Sequence, residues 1–368
     1  MNFLGGGLPA QTGRVRRGTR AWVAACLASA AGMAVAAPVA APAASSAPLH
    51  LHIVGGLASL KPFTQHERPF WETELARLSG GRYTAEIVPF DRAGIRSQEA
   101  LTLVQLGAVP FATVQVSGGV KDPELSAPDL SGLNPDMPAM RRSLAAFRPY
   151  LEEVMRKRYG IEVLAVYVYP AQVLFCNKPL AGLKDVKGLR VRTSGPAQSD
   201  LIEALGGKAV TTGFNDIVPY LNRDEIDCAV TGTMSGNIIG LPDITTHIHP
   251  MAISWGLSMF AANGAAWNAL PPDLRALLKR ELPRVEREVW DESERDTADG
   301  IACNVGAASC KAGKRGHMTE VRTSPADERL RREIFASTVL PRWVQRCGPQ
   351  CAAVWNHTMA ASAGITAR

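Results

Sequence analysis

Two pairs of histidines in the chain are each separated by a single residue, a spacing that can bind a metal ion. The pairs are His50 with His52 and His247 with His249. In a β-strand the side chains of residues i and i+2 lie on the same face, so each pair would present two imidazoles together. An exported metal-dependent hydrolase could use such imidazoles. No zinc motif containing Asp or Glu accompanies either pair. We therefore keep the hydrolase as the alternative function and expect no metal site.

A second group of polar side chains lies in residues 231–237, a segment dense in hydroxyls and glycines. Such a segment can present hydroxyls and backbone N–H groups to an anion or a polyol. The candidate ligand-binding residues here are Thr231, Thr233, Ser235 and Asn237. The same composition would also suit a plain turn. Ser235 does not stand in the Gly-x-Ser-x-Gly sequence of a serine hydrolase.

Six cysteines follow the N-terminal region, and an even number favours disulfides in an oxidising compartment. No two of them have the Cys-x2-Cys spacing of a zinc site. The short spacings favour local closure, which leaves the two more distant cysteines for each other. The expected disulfides are Cys176–Cys228, Cys303–Cys310 and Cys347–Cys351.

Residues 1–40 have the pattern of a signal peptide, with an Arg-rich start, the apolar run 21–36 and then small residues. Residues 1–47 contain four Arg and no acidic residue, so without them 40 − 4 = 36 basic residues face 34 acidic ones. The net charge thereby falls from +6 to +2. We expect export to the periplasm and no nucleic-acid partner, because the basic bias belongs to the leader.

Strands and helices alternate along the chain, which predicts an α/β fold with mostly parallel sheets. The alternation restarts at Pro170, so we expect a second α/β unit of similar size and hence two lobes. Lobe I is assigned to residues 48–168, completed by about 254–285. Lobe II is assigned to residues 169–253, completed by about 286–368.

Three further elements follow from local patterns. The gap between the third strand and the next helix, residues 117–138, is rich in Gly, Pro, Ser and Asp, which indicates an irregular loop. Residues 253–261 are predicted to form one strand. A helix that begins near Pro272 and reaches about residue 298 is long enough to brace both lobes.

Two segments resemble the solute-binding subunits of tripartite ATP-independent periplasmic (TRAP) transporters, the DctP-like family. In residues 90–107 a glycine-containing loop enters a helix that ends in Val-Gln-Leu-Gly. In residues 177–192 the turn Asn-Lys-Pro-Leu leads to Asp-Val-Lys-Gly-Leu-Arg-Val-Arg. The similarity extends, with gaps, over about residues 51–290.

The resemblance implies a two-lobed periplasmic binding protein and not an enzyme. The cleft of such a protein closes over an organic acid, and the protein delivers that acid to membrane permease subunits. It implies no cofactor. Arg192, the last residue of the second motif, is implied to bind the substrate carboxylate. A guanidinium suits this role because two parallel N–H donors match two carboxylate oxygens. Alternatively, Arg192 is a surface residue paired with Asp185 or Asp200.

The chain also departs from the family pattern. Gln172 stands where many members have an additional Arg, so a ligand held by two arginines is not expected. Val218 stands where the family has a stacking tyrosine. Trp255 and Tyr169, near the expected lobe boundaries, are candidates for aromatic walls of the cleft.

Overall fold

A computed structural model of the chain describes residues 48–116 and 122–368. The expected signal peptide, residues 1–40, lies outside the described residues. In the part of the chain that is described, no helix is both long and apolar enough to cross a membrane.

The strands follow one another as β1 (Leu49–Gly55), β2 (Tyr83–Pro89), β3 (Phe111–Gln115), β4 (Ile161–Val168), β5 (Gln172–Cys176), β6 (Arg190–Thr193), β7 (Lys208–Thr211), β8 (Cys228–Gly232), β9 (His247–Ser254), β10 (Leu257–Asn263) and β11 (Thr319–Glu320). The α-helices are α1 (Leu75–Leu78), α2 (Ser97–Gln105), α3 (Met137–Val154), α4 (Pro196–Ala204), α5 (Ile217–Asn222), α6 (Thr233–Ile238), α7 (Gly264–Ala269), α8 (Pro272–Asn304), α9 (Pro325–Ile334), α10 (Leu340–Cys347), α11 (Pro349–Thr358) and α12 (Ala360–Ala363). Short 3-10 helices span Pro123–Asp129, Leu183–Val186, Phe214–Asp216 and Leu241–Asp243, and π-helical turns span Pro62–Glu67, Phe70–Glu74, Met155–Tyr159 and Phe335–Val339.

The strands form two mixed sheets, with the orders β2-β1-β3-β10-β4 and β11-β9-β5-β8-β6-β7. Among the described residues, five of the nine strand pairings are parallel. The antiparallel pairings involve β10 in the first sheet and β5 in the second. Each sheet receives its antiparallel strand where the chain crosses from one sheet to the other.

Two short crossovers carry the chain between the sheets, one from β4 to β5 and one from β9 to β10, and α8 then leads back to β11 in the second sheet. The prediction of one strand over residues 253–261 is therefore wrong. Gly256 has φ +80°, a left-handed conformation that interrupts the extended chain. The two crossovers are tied together, because the backbone N–H of Tyr169 donates to the Gly256 carbonyl at 3.2 Å. Asp129 also accepts the N–H groups of Trp255 and Gly256, each at 2.8 Å.

The 33-residue helix α8 packs along the first sheet and continues to the second, as the long brace predicted from the sequence. Trp290 and Ser293 donate side-chain hydrogen bonds to carbonyls of β4, each at 2.7 Å. Further along α8, Gly300 lies against α6 so closely that an added Cβ would be 2.4 Å from the Met234 nitrogen. The two-lobed α/β fold is thus held together by the two crossovers and one helix.

The division of the chain into lobe I and lobe II stays a proposal. It is supported for β1 to β10, because each of these strands belongs to the sheet of the lobe to which its residues were assigned. The C-terminal helices contact both halves of the chain. Arg346 forms an ion pair with Asp200 of α4 at 2.6 Å, and the Trp343 indole donates to the Pro123 carbonyl at 2.7 Å. Residues 286–368 therefore pack on elements assigned to lobe I as well as on lobe II.

The six cysteines form the three disulfides expected from the sequence: Cys176–Cys228, Cys303–Cys310 and Cys347–Cys351. The first joins neighbouring antiparallel strands, β5 and β8, in the second sheet. The other two close short local loops. Part of the expected irregular loop is ordered as the 3-10 helix Pro123–Asp129.

Candidate functional site

A cavity of about 550 Å³ lies between the two sheets. Its walls come from the carboxyl ends of parallel strands on both sides. Leu57 follows β1 and Phe90 follows β2 in the first sheet, while Ser194 follows β6 and Thr212 follows β7 in the second. Ligands of open α/β sheets bind at such strand ends, so the topology alone makes this cavity the candidate site.

Arg192 lies on β6, between β7 and β8, and its side chain lines the cavity. The residue is only 4% exposed. Its Nε and Nη2 donate to the Thr212 carbonyl at 3.2 and 2.9 Å, and its Nη1 donates to the Val230 carbonyl at 2.8 Å. These acceptors use three of the five guanidinium N–H groups. Within the described residues, one N–H on each terminal nitrogen has no acceptor, and such a pair can bind a carboxylate in bidentate fashion.

The charge of Arg192 is unneutralised by an ion pair within the described chain. Burial lowers the pKa of Arg192 to about 10, with a smaller opposing effect from Asp216, so the guanidinium stays charged near pH 7. The surface alternative is wrong, since Asp200 pairs with Arg342 and Arg346 and Asp185 accepts backbone N–H groups. A buried cation without a counter-ion is costly unless an anion binds to it.

Gln172, the first residue of β5, also lines the cavity. Its Oε1 accepts from Gln198 Nε2 at 2.6 Å, and its Nε2 donates to the Trp255 carbonyl at 3.3 Å. The amide thereby joins the two crossovers beside the cavity. A Cβ at Gly256 would lie 2.5 Å from Gln172 Nε2, so only glycine leaves room for this contact.

The sequence suggested a loop over residues 231–237. In the structure this segment is instead the end of β8 followed by α6. Thr231 and Ser235 line the cavity. Thr233 and Asn237 do not, because residues i and i+4 share a helix face and this face packs on α8. Thr233 donates to the Asp296 carbonyl at 3.0 Å, and Asn237 donates to Asn304 at 3.0 Å. These two residues have structural partners instead of a place at the cavity.

Of the two aromatic candidates, Tyr169 lines the cavity and Trp255 does not. Trp255 is buried, and its indole N–H donates to the Asn134 carbonyl at 3.1 Å. The expectation that Trp255 forms a wall of the cleft is therefore corrected: it packs inside the protein, although it lies at a crossover.

Of the apolar wall of the cavity, the sequence analysis named Tyr169 and missed the other residues. Four buried side chains form one cluster there, with two half-buried ones packed against it: Leu57, Leu60, Phe90 and Tyr169, with Ile95 and Phe214. Phe214 supplies an aromatic ring near the point where Val218 replaces the family's tyrosine. The signal available in the sequence was position, since Leu57, Phe90 and Phe214 come within a few residues after the ends of strands.

Glu67 lies behind this wall and is 1% exposed. Its carboxylate accepts the Gly56 N–H at 2.8 Å and the Thr113 hydroxyl. Gly56 precedes Leu57, so this carboxylate anchors the loop that forms part of the wall. Burial raises the pKa of Glu67 from 4.5 to about 7, against the opposing effect of the two hydrogen bonds and of His66.

The two histidine pairs lie in different sheets, on β1 and on β9. His249 is buried, and its Nδ1 accepts the Met251 N–H at 3.3 Å. His50 and His52 are exposed. The structure does not bring the four imidazoles together in a single site.

Comparison with known proteins agrees with this geometry. Among similar solved structures, the DctP7 receptor of Bordetella pertussis, which binds pyroglutamic acid, has a TM-score of 0.74 and 19% identity, covering 84% of this chain and 99% of that one. A TRAP solute-binding protein of Desulfovibrio salexigens with bound orotic acid has a TM-score of 0.74 and 16% identity, covering 86% and 99%. One of Shewanella oneidensis with bound succinate has a TM-score of 0.71 and 20% identity, covering 86% and 100%.

The model of one protein family, described as bacterial extracellular solute-binding protein, family 7 (DctP), matches residues 58–303. The match covers more than half of the chain, including both sheets apart from β1 and β11. The hydrolase alternative finds no support in it. The chain belongs to the DctP family of TRAP solute-binding proteins.

Proposed function

We propose that this protein captures an organic acid between its two lobes in the periplasm and delivers it to the membrane permease subunits of a TRAP transporter. The observation that carries the proposal is the buried guanidinium of Arg192, which faces the cavity without a counter-ion among the residues that the structure describes. The similar structures bind pyroglutamate, orotate and succinate, which are all organic acids. Residues 1–40 would direct export and then be removed.

The charges around the cavity favour a ligand with one carboxylate. Four charged side chains are among the described residues that line it: Arg192, Arg96, Asp91 and Asp216. Arg96 is exposed and pairs with Glu99, so Arg192 is the cation available at depth. A second carboxylate would meet the neutral Gln172 and the two aspartates. The apolar wall suits a ligand with a compact apolar body, since it removes that body from water.

A thermal-shift screen of organic acids tests the proposed function. Binding stabilises the folded state by about 2.7 kcal/mol when the ligand is present at one hundred times its Kd. We expect at least one monocarboxylate to raise the melting temperature, and mass spectrometry of the denatured protein to identify any acid retained through purification. If no acid in a broad library raises the melting temperature, the proposed function is wrong.

Gln172→Arg is expected to change the preference between ligands. A second guanidinium would lack a counter-ion when a monocarboxylate binds, so that affinity should fall, while affinity for a dicarboxylate of equal length should rise. Isothermal titration of both acids against both proteins measures the change.

The control is Gln172→Leu, which removes the same hydrogen bonds but adds no charge. It should weaken both acids alike. If Gln172→Arg leaves both affinities within about 0.5 kcal/mol of the wild type, Gln172 does not determine the ligand class.

A further inference from the structure

Strands β1 and β2 of the first sheet carry a group of polar side chains that do not line the cavity described above. From His50 to Ile53 of β1, successive side chains face the solvent and the core in turn, with Leu51 and Ile53 buried. β2 pairs in parallel with β1, and the register sets Thr84 opposite His50 and Glu86 opposite His52. Residues in register on neighbouring strands project from the same face. Two imidazoles and a carboxylate therefore lie together on an exposed face.

The distances within this group are those of potential metal ligands. One ligand atom from each of His50, His52 and Glu86 lies within 4.8 Å of the others. The two imidazole centroids are 5.2 Å apart, and His52 Nδ1 is 2.7 Å from Glu86 Oε1. A tetrahedral zinc ion with bonds of about 2.0–2.1 Å sets its ligand atoms about 3.3 Å apart. Exposed side chains reach that spacing by small rotations. We propose that His50, His52 and Glu86 form a surface site for Zn²⁺, with water in the fourth position.

The donor set suits zinc better than calcium or magnesium. Two neutral imidazole nitrogens and one carboxylate match the ligands of zinc sites, whereas calcium and magnesium are bound by oxygens. Their net charge of −1 also attracts a divalent cation. The Thr84 hydroxyl lies 2.8 Å from His50 Nδ1. When it accepts the Nδ1 proton, it leaves Nε2 free for the metal and orients the ring, as residues around metal ligands commonly do.

The second histidine pair has the same spacing but lacks this arrangement. His249 is 1% exposed, and its Nε2 is 3.6 Å from Asp327. His247 is half-buried, with Nδ1 2.8 Å from the Thr246 hydroxyl. This pair cannot present two free imidazoles to an ion, so it provides a control of identical sequence spacing.

The test is calorimetric titration of Zn²⁺ into the mature chain, purified without a histidine tag, at pH 7.5. We expect one Zn²⁺ per chain. Substitution around a metal ligand costs about 10–100-fold in affinity, and loss of a ligand should cost no less. His50→Ala, His52→Ala and Glu86→Gln should therefore each weaken binding at least about tenfold, whereas His247→Ala should bind as the wild type does.

One further measurement sharpens the result. Mg²⁺ should not compete. The proposal is overturned if the wild type binds no stoichiometric Zn²⁺, or if any of the three substitutions leaves the affinity unchanged. Organic-acid binding at the cavity is independent of these residues, so failure here leaves the proposed function standing.

Discussion

Arg192→Ala weakens binding of the organic acid by an expected 2 to 5 kcal/mol, because a dehydrated carboxylate loses its charged partner. Arg192 is 4% exposed, so its guanidinium has already lost most of its contact with water before the acid binds. Calorimetry with the acid identified by the screen measures the loss. Arg192→Lys should recover part of the affinity, since a single ammonium restores the charge but not the two parallel N–H groups.

Arg190→Ala is the matched control. Arg190 lies two residues earlier on β6, pairs with Asp227 at 2.8 Å and does not line the cavity. Its loss should leave ligand affinity unchanged. Equal affinity of the wild type and Arg192→Ala, with both proteins folded, would remove Arg192 from the binding site.

Glu67→Gln should remove a large part of the pH dependence of stability. In the folded protein the raised pKa keeps Glu67 protonated up to about pH 7, whereas in the unfolded chain the carboxyl ionises above about pH 4.5. The unfolded state therefore binds fewer protons between these values, and the wild type loses stability as pH rises through them. The difference of about 2.5 pKa units corresponds to about 3 kcal/mol. Gln mimics the protonated form, because its oxygen accepts from Gly56 and its NH₂ donates to Thr113.

Urea unfolding at a series of pH values from 4.5 to 8 measures this effect. The stability of Glu67→Gln relative to the wild type should rise up to about pH 7 and then stay constant. Glu72→Gln is the control, because Glu72 is exposed on the same segment. Parallel pH profiles for the wild type and Glu67→Gln would show that Glu67 titrates normally in the folded state.

The elements that could be predicted were those whose pattern is local. The long helix after Pro272 and the two local disulfides each follow from neighbouring residues. The family motif added a role for Arg192 that its sequence neighbours alone did not indicate. The burial of Arg192 and its N–H groups that have no acceptor among the described residues follow only from the packing of β7 and β8 on either side of β6.

The positions of several side chains could not be predicted, because they depend on which element packs on which face of a helix or sheet. Spacing places Thr233 and Asn237 on one face of a helix, but it does not show that α8 packs on that face. Trp255 looked like a wall of the cleft, yet its partner Asn134 is more than 100 residues away in the chain. Phe214 and Leu57 became part of the site because two distant strand ends meet there. Long-range packing of this kind leaves no local pattern.

The contact between Gln172 and Gly256 limits how this protein can evolve. Any side chain at 256 would collide with the amide of residue 172 and would also have to adopt φ +80°. A smaller residue at 172 would remove this collision but not the positive φ, so position 256 favours glycine whatever residue stands at 172. A lineage that changes its nutrient by substitution at 172 must inherit the crossover unchanged, so among descendants ligand preference should diverge while the geometry of the crossover is preserved.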